Sequence, residues 1–208
     1  TRYGTVTGVQ TCALPILLVA GVGLTAEGLD LAGRIASATG ATVKSNWSNA
    51  RLQRGAGRFA VERVPFAVDL ALEQLKHFQH VILVGASKPV AFFAYPDKPS
   101  IMVPESCELH RLAELDEDIV HALEWLADEV GAADAQANLQ PLVRPPVPNG
   151  ALTKDSIAAV LGAALPEHAI VADESVTTGR GFYPLTAGAP AHDWLQRSEE
   201  HTSELQSQ

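Results

Sequence analysis

Cysteine, basic runs and long apolar stretches are what this sequence has least of. Of 208 residues only Cys12 and Cys107 are cysteines, too few for a disulfide framework and without the CxxC spacing of a zinc site. Lys and Arg number 15 against 24 Asp and Glu, for a net charge of −9. An acidic chain without basic clusters has no electrostatic footprint for nucleic acid or for an anionic membrane surface. No apolar run approaches the ~20 residues of a transmembrane helix. These scarcities fit a reducing cytoplasm.

The two ends lack the periodicity of the elements they adjoin. Val6–Ile16 reads VTGVQTCALPI and Arg197–Ser207 reads RSEEHTSELQS. These are the translations of the two complementary strands of one sequencing-library adapter. Residues 1–16 and 197–208 are therefore expected to be non-native and stand outside fold reasoning. The natural stretch is taken as Leu17–Gln196, internal to a longer gene. Removing Arg2, Arg197, Glu199, Glu200 and Glu204 leaves the acidic balance in place.

Within that stretch, Leu17–Gly21 is a short apolar run of the kind buried in parallel sheets. Thr25 is placed to cap a helix over Ala26–Thr39, ended by Gly40. Ala41–Lys44 reads as a second strand and Asn46–Gly57 as a loop. Pro65 opens a helix carrying Val68, Ala71, Leu72 and Leu75. Val81–Val84 is the clearest strand, closed by Gly85. Phe92, Phe93 and Tyr95 form an aromatic cluster, Ile101–Val103 and Glu108–Leu112 read as strands, and Asp116–Val130 as an amphipathic helix. Alternating strands and helices of this kind predict an α/β fold, a Rossmann-like, mostly parallel open sheet with helices on both faces. Gly131–Gly150, rich in Ala and Pro, reads as a linker. A second, truncated α/β unit then opens with a helix capped by Thr153 and a strand at Ile170, with no sheet to cover their apolar residues.

Several constellations resolve into structural roles. Gly21, Gly23 and Gly28 follow the first strand, but the third glycine is displaced from GxGxxG. Lys44, Ser45 and Asn46 stand where a dinucleotide site needs an acid for the ribose. A strand-to-helix turn without ligand is the reading. His77, His80, His110, His121, His168 and His192 are scattered without HxxxH or HxH spacing, which suits surface or hydrogen-bonded roles. Ser87 lacks a GxSxG elbow. Glu114, Asp116, Glu117 and Asp118 form an acidic helix start. Cys107 has no activating context for a nucleophile. The remaining stretch is Ile170–Phe182, IVADESVTTGRGF, an apolar strand running into acids and hydroxyls. Such a loop at the carboxyl end of a strand suits a phosphate group. Asp173, Ser175 and Thr177 are equally N-cap types, so helix capping stands beside ligand binding.

GASKPVAFFAYPDKPS (Gly85–Ser100) and ADESVTTGRGFYPLT (Ala172–Thr186) carry a resemblance to the thiamine-diphosphate-dependent enzymes. Within that family the sequence resembles the acetolactate-synthase-large-subunit-like and benzoylformate-decarboxylase-like branch, over essentially all of Leu17–Gln196. The resemblance implies a central domain at 17–130, a linker at 131–152, and the start of the diphosphate-binding domain at 153–196. It implies thiamine diphosphate and Mg²⁺ as cofactors, with Glu174, Ser175, Thr177 and Thr178 in the loop touching the diphosphate. Val176 would contribute only its backbone. The parent enzyme would decarboxylate a 2-keto acid, then either protonate the product or join it to a second carbonyl compound, as a homodimer or homotetramer. The family's catalytic Glu and its GDG…N segment are not in these 208 residues, so the chain alone is expected to be inactive. Some relatives hold FAD on the central domain, which the weak glycine loop does not support. Two other readings stand beside this one: a stand-alone nucleotide- or flavin-binding module, and a non-catalytic scaffolding domain.

Overall fold

The computed structural model describes residues 15–175 and 177–196, with the backbone alone at Arg180. The expectations for residues 1–14 and 197–208, and for Val176, lie outside them. In chain order the elements are β1 (Ile16–Val19), a 3-10 turn (Gly21–Leu24), α1 (Ala26–Thr39), β2 (Thr42–Ser45), β3 (Leu52–Arg54) and β4 (Glu62–Arg63). There follow α2 (Val68–Leu75), β5 (His80–Val84), β6 (Glu108–Ala113), α3 (Ile119–Glu129) and α4 (Lys154–Ala164). The chain then runs through β7 (Ile170–Asp173), a 3-10 turn (Thr178–Gly181), α5 (Phe182–Leu185) and β8 (His192–Gln196). They cluster into two compact units: residues up to Trp47 with Val61–Asn138, and Ser48–Ala60 with Leu139 onward.

The first unit is an α/β fold built on a five-stranded sheet in the order β4-β2-β1-β5-β6, parallel throughout. β1 and β5 read as unbroken apolar runs because both faces of a parallel sheet are covered. Ile16, Leu18, Val81 and Leu83 join Ala71 and Leu75 of α2 in one core cluster. The alternate residues Leu17, Val19, Ile82 and Val84 point to the other face, and α1 packs against α3. Gly40 ends α1 in the left-handed conformation at φ 76°, as its position predicts. Asp118 caps α3 by accepting from the His121 N–H at 3.0 Å, so the helix starts three residues past Asp116. Phe92, Phe93 and Tyr95 do cluster, joined by Trp47 and Phe66, at ring separations of 4.6 to 6.4 Å.

Two expectations for this stretch fail. Ile101–Val103 is no strand: Ile101 makes one isolated antiparallel bridge to Val90, too short a pairing to propagate a ladder. Thr25 precedes α1 but does not cap it, because its hydroxyl donates to the Val22 carbonyl at 2.7 Å instead.

The second unit holds a three-stranded sheet, β3-β8-β7, with β8 antiparallel to β3 and parallel to β7. The expected loop at Asn46–Gly57 therefore contains a strand, and β7 has a sheet to join, paired with β8, although its own side chains stay exposed or half-buried. The missed strand is short, and its pattern Leu52-Gln53-Arg54 carries one aliphatic residue, so local sequence gives it no period. Leu52 faces Trp194 across the ladder, and both are buried. Thr153 caps α4 in a reciprocal box with Ser156: each side chain meets the other's backbone N–H, at 3.1 and 2.7 Å. Gly162 lets α4 approach α5, since a Cβ there would lie 2.3 Å from the Leu185 carbonyl oxygen. Ile157, Val160 and Ile170 remain exposed at 43, 43 and 70 %.

Among the described residues, no helix is long and apolar enough to cross a membrane.

Candidate functional site

β7 delivers Asp173 to the carboxyl end of its sheet, and the loop after it folds back on that carboxylate. One Asp173 oxygen, Oδ1, accepts from the Ser175 N–H at 3.0 Å and from the Ser175 hydroxyl. The other, Oδ2, accepts from the Trp194 indole N–H at 3.2 Å. An aspartate turned onto a backbone N–H two residues on is a local turn, not a helix cap. The Ser175 carbonyl then accepts from the Thr178 N–H and hydroxyl, both at 2.9 Å. Gly179 is required beside it: a Cβ there would fall 1.6 Å from Ser175 Oγ.

Of the four predicted ligand residues, Glu174, Thr177 and Thr178 are exposed and Ser175 is half-buried. The Thr177 hydroxyl makes no capping bond to the 3-10 turn that follows. The capping reading thus fails at Asp173 and Thr177. The loop is instead a tight knot presenting two threonines. Ser175 is the least available, since both its donors are turned inward onto Asp173.

Behind the loop, Arg54 is buried and donates to the Thr186 hydroxyl at 2.8 Å and to the Tyr183 carbonyl at 2.6 Å. Its guanidinium lies 3.6 Å from the centre of the Tyr183 ring. His192, also buried, donates from Nδ1 to the Pro190 carbonyl at 2.7 Å, and its Nε2 has no partner among the described residues. Burial lowers the His192 pKa, and the nearby Arg54 charge adds to this. The imidazole is therefore held neutral. Nothing in the local sequence marks Arg54 or His192, because their neighbours arrive from distant stretches.

In the first unit, the carboxyl ends of β1 and β5 form the switch point of the sheet, where α/β proteins take nucleotides. Here the glycines serve packing. A Cβ on Gly85 would lie 2.3 Å from Ile119 Cδ1, and one on Gly28 would lie 2.6 Å from the Gly23 backbone. Ile119 is fully buried over these strand ends. Lys44 is buried and pairs with Glu62 at 2.6 Å, an ammonium at the position that a ribose site gives to an acid. The turn-without-ligand reading agrees with this packing. A cavity of about 880 Å³ borders α2, lined in part by Leu72, Lys76, Met102 and Cys107. Burial pushes the Cys107 thiol up, and the Glu108 carboxylate adds to it, so the sulfur stays protonated and is a poor nucleophile.

The histidines are not all scattered. His80, Glu108 and His110 converge in the first unit, brought together by the parallel pairing of β5 with β6. The Glu-x-His spacing on one strand was the available signal. His80 joins it only through the register.

IlvX of Mycobacterium tuberculosis, provisionally named an acetolactate synthase large subunit, is 47% identical over 193 residues, covering 92% of this chain and 37% of IlvX. By sequence the chain is a relative of the acetolactate-synthase-large-subunit-like proteins. The thiamine-diphosphate-dependent 4-hydroxybenzoylformate decarboxylase of Rhodococcus jostii shares the fold, with a TM-score of 0.62 at 20% identity over 88% of this chain and 37% of that one. A protein of Mycobacterium smegmatis, provisionally described as thiamine-diphosphate-dependent, gives 0.62 at 21% identity over 88% of this chain and 38% of its own. No protein-family model matches the chain. It thus spans little more than a third of the family members it matches.

Proposed function

We propose that these residues are the central domain (17–130), linker (131–152) and opening strand and loop of the diphosphate-binding domain (153–196) of a thiamine-diphosphate-dependent enzyme. Its substrate is a 2-keto acid, which it decarboxylates, releasing the product or joining it to a second carbonyl compound in acetolactate-synthase fashion. The observation that carries this reading is the 47% identity sustained across 193 residues, which include the Asp173–Gly179 loop. The proposed place of action is the cytoplasm, as a homodimer or homotetramer.

The loop chemistry fits one edge of a diphosphate. Thr177 offers an exposed hydroxyl, and a hydroxyl can donate to a phosphate oxygen without the cost of desolvating a charge; the exposed Thr178 hydroxyl already donates to the Ser175 carbonyl and would have to turn from it to do the same. Glu174, an exposed carboxylate, suits the water shell of Mg²⁺ better than the diphosphate itself. Ser175 acts one step back: with both donors on Asp173, it sets the shape of the loop that presents the threonines. When bound, the cofactor supplies the electron sink that lets a 2-keto acid lose CO₂. The residues described here hold and orient its diphosphate tail, and the proton-handling groups lie elsewhere in the parent.

The test is to extend the reading frame at both ends, load the product with thiamine diphosphate and Mg²⁺, and follow CO₂ release from pyruvate and benzoylformate. Turnover is expected from the extended protein and none from the 208 residues alone. Thr177→Val should weaken cofactor binding about tenfold, the loss of one hydrogen bond to a charged group, while leaving the KM for the keto acid unchanged. An extended protein that binds no thiamine diphosphate would sink the reading. The competing flavin- or nucleotide-module reading would gain from flavin absorbance co-purifying with the chain. The filled switch point at Gly23, Gly28 and Gly85 argues against it.

A further inference from the structure

At the amino-terminal end of β5 and β6, three ligand-bearing side chains meet that no part of the proposed catalysis uses. His80 opens β5, and Glu108 and His110 lie two apart on β6, with His80 opposite Glu108 in the parallel register. Side chains two apart on a strand share a face. Val81 and Leu83 pack with α2, which puts His80, Glu108 and His110 together on the opposite face of the sheet. Their facing atoms form a near-regular triangle. His80 Nδ1 lies 3.1 Å from His110 Nε2. Glu108 Oε2 is 3.6 Å from the first and 3.7 Å from the second.

That triangle has the size of one face of a metal tetrahedron. Zinc holds nitrogen and oxygen ligands at about 2.0–2.2 Å, which separates neighbouring ligand atoms by about 3.4 Å. An ion at about 2.1 Å from all three atoms fits just above their plane. Both histidines are half-buried, which limits the rotamers they can escape to, while Glu108 is exposed and leaves one side to solvent. Two imidazoles and one carboxylate are borderline donors that select zinc-like divalent transition ions over Mg²⁺ or Ca²⁺. A His–His hydrogen bond alone would account for the 3.1 Å edge but not for the carboxylate oxygen near-equidistant from both rings.

We propose that His80, Glu108 and His110 form a binding site for a divalent transition-metal ion of the zinc class, with its fourth position open to water. The site joins the edge strand β6 to β5 and is separate from the diphosphate loop, so its fate and that of the proposed function are independent.

Cobalt(II) replaces zinc with visible ligand-field absorption, so it is the probe. The tag-free 208-residue chain is titrated with Co²⁺ at slightly alkaline pH. One equivalent should bind with the intense visible bands of a four- or five-coordinate ion, and added Zn²⁺ should bleach them. His110→Ala and His80→Ala should each weaken binding by tenfold or more. His121→Ala, an exposed histidine on α3 beside Glu124, should bind as the parent does. Circular dichroism confirms that each variant is folded. Absence of the bands in the parent chain, or bands equally strong in the folded His110→Ala and His80→Ala variants, overturns the site.

Discussion

Single side chains in this protein gain their roles from partners far away in sequence. His192 is the clearest case. Its pKa is lowered, first by burial, so the unfolded chain binds a proton more readily than the folded one. The stability this neutral imidazole confers is complete above its unfolded pKa and is lost progressively as the pH falls below it. The melting temperature should therefore drop between neutral pH and pH ~5, and the drop should be shallower in His192→Gln. An equally steep fall in that variant would assign the acid sensitivity to other groups.

Gly28 shows the opposite dependence, on space instead of charge. It faces the Gly23 backbone at a distance no Cβ tolerates, so α1 lies this close to the preceding turn because Gly28 has no side chain. Gly28→Ala should cost about 3 kcal/mol, the range of an overpacked core, seen as a lower urea midpoint. The same methyl on Gly57, which meets nothing within 4 Å, is not a neutral comparison, because φ there is +75°. Gly181, where the nearest atoms lie at 3.9 Å and φ is negative, is the proper control and should tolerate alanine.

At the scale of elements, legibility followed local pattern. The helix over Ala26–Thr39 and the cap at Thr153 could be read because their signals lie within a few residues. β1 and β5 could be read because burial on both faces leaves unbroken apolar runs. β3 could not, since what makes Leu52–Arg54 a strand is Trp194 and His192 opposite it. The Asp173–Gly179 loop was legible as a place but not in its wiring. Two of the residues that look like caps, Asp173 and Ser175, hydrogen-bond to one another, and the indole that completes the arrangement belongs to β8. Of the histidine–glutamate cluster only the Glu108-x-His110 spacing was visible; His80 was not, because parallel pairing joins residues that no spacing rule compares.

β3 also carries the most consequential side chain of its unit. Arg54 makes two hydrogen bonds and stacks on Tyr183, so Arg54→Ala removes two charge-assisted bonds along with a cation–π contact. The loss should be about 3 kcal/mol or more, read as an earlier unfolding transition. Lysine at this position should not restore it, because an ammonium has no planar fork to serve Thr186 and the Tyr183 carbonyl together while lying over a ring. Full stability in Arg54→Lys would show that charge alone matters.

For the whole molecule, the sheet order of the first unit and the likeness to solved structures agree on an open α/β architecture. What the fold does not share with a simple string of domains is its threading. The chain leaves the first unit after Trp47, contributes Ser48–Ala60 to the second, and returns at Val61. Arg51 and its ion-pair partner Asp193 are 142 residues apart. On the ribosome, the segment carrying β3 emerges long before β8 exists. Its backbone donors and the aliphatic Leu52 must wait, unpaired, until the end of the sheet is made. Closing so long a loop delays the ladder, and a waiting strand edge is an invitation to other chains. Dissecting the protein at its Pro-rich linker would make that wait permanent. The carboxyl-terminal piece would lose the strand that lies against Trp194, and the amino-terminal piece would carry a strand with nowhere to go.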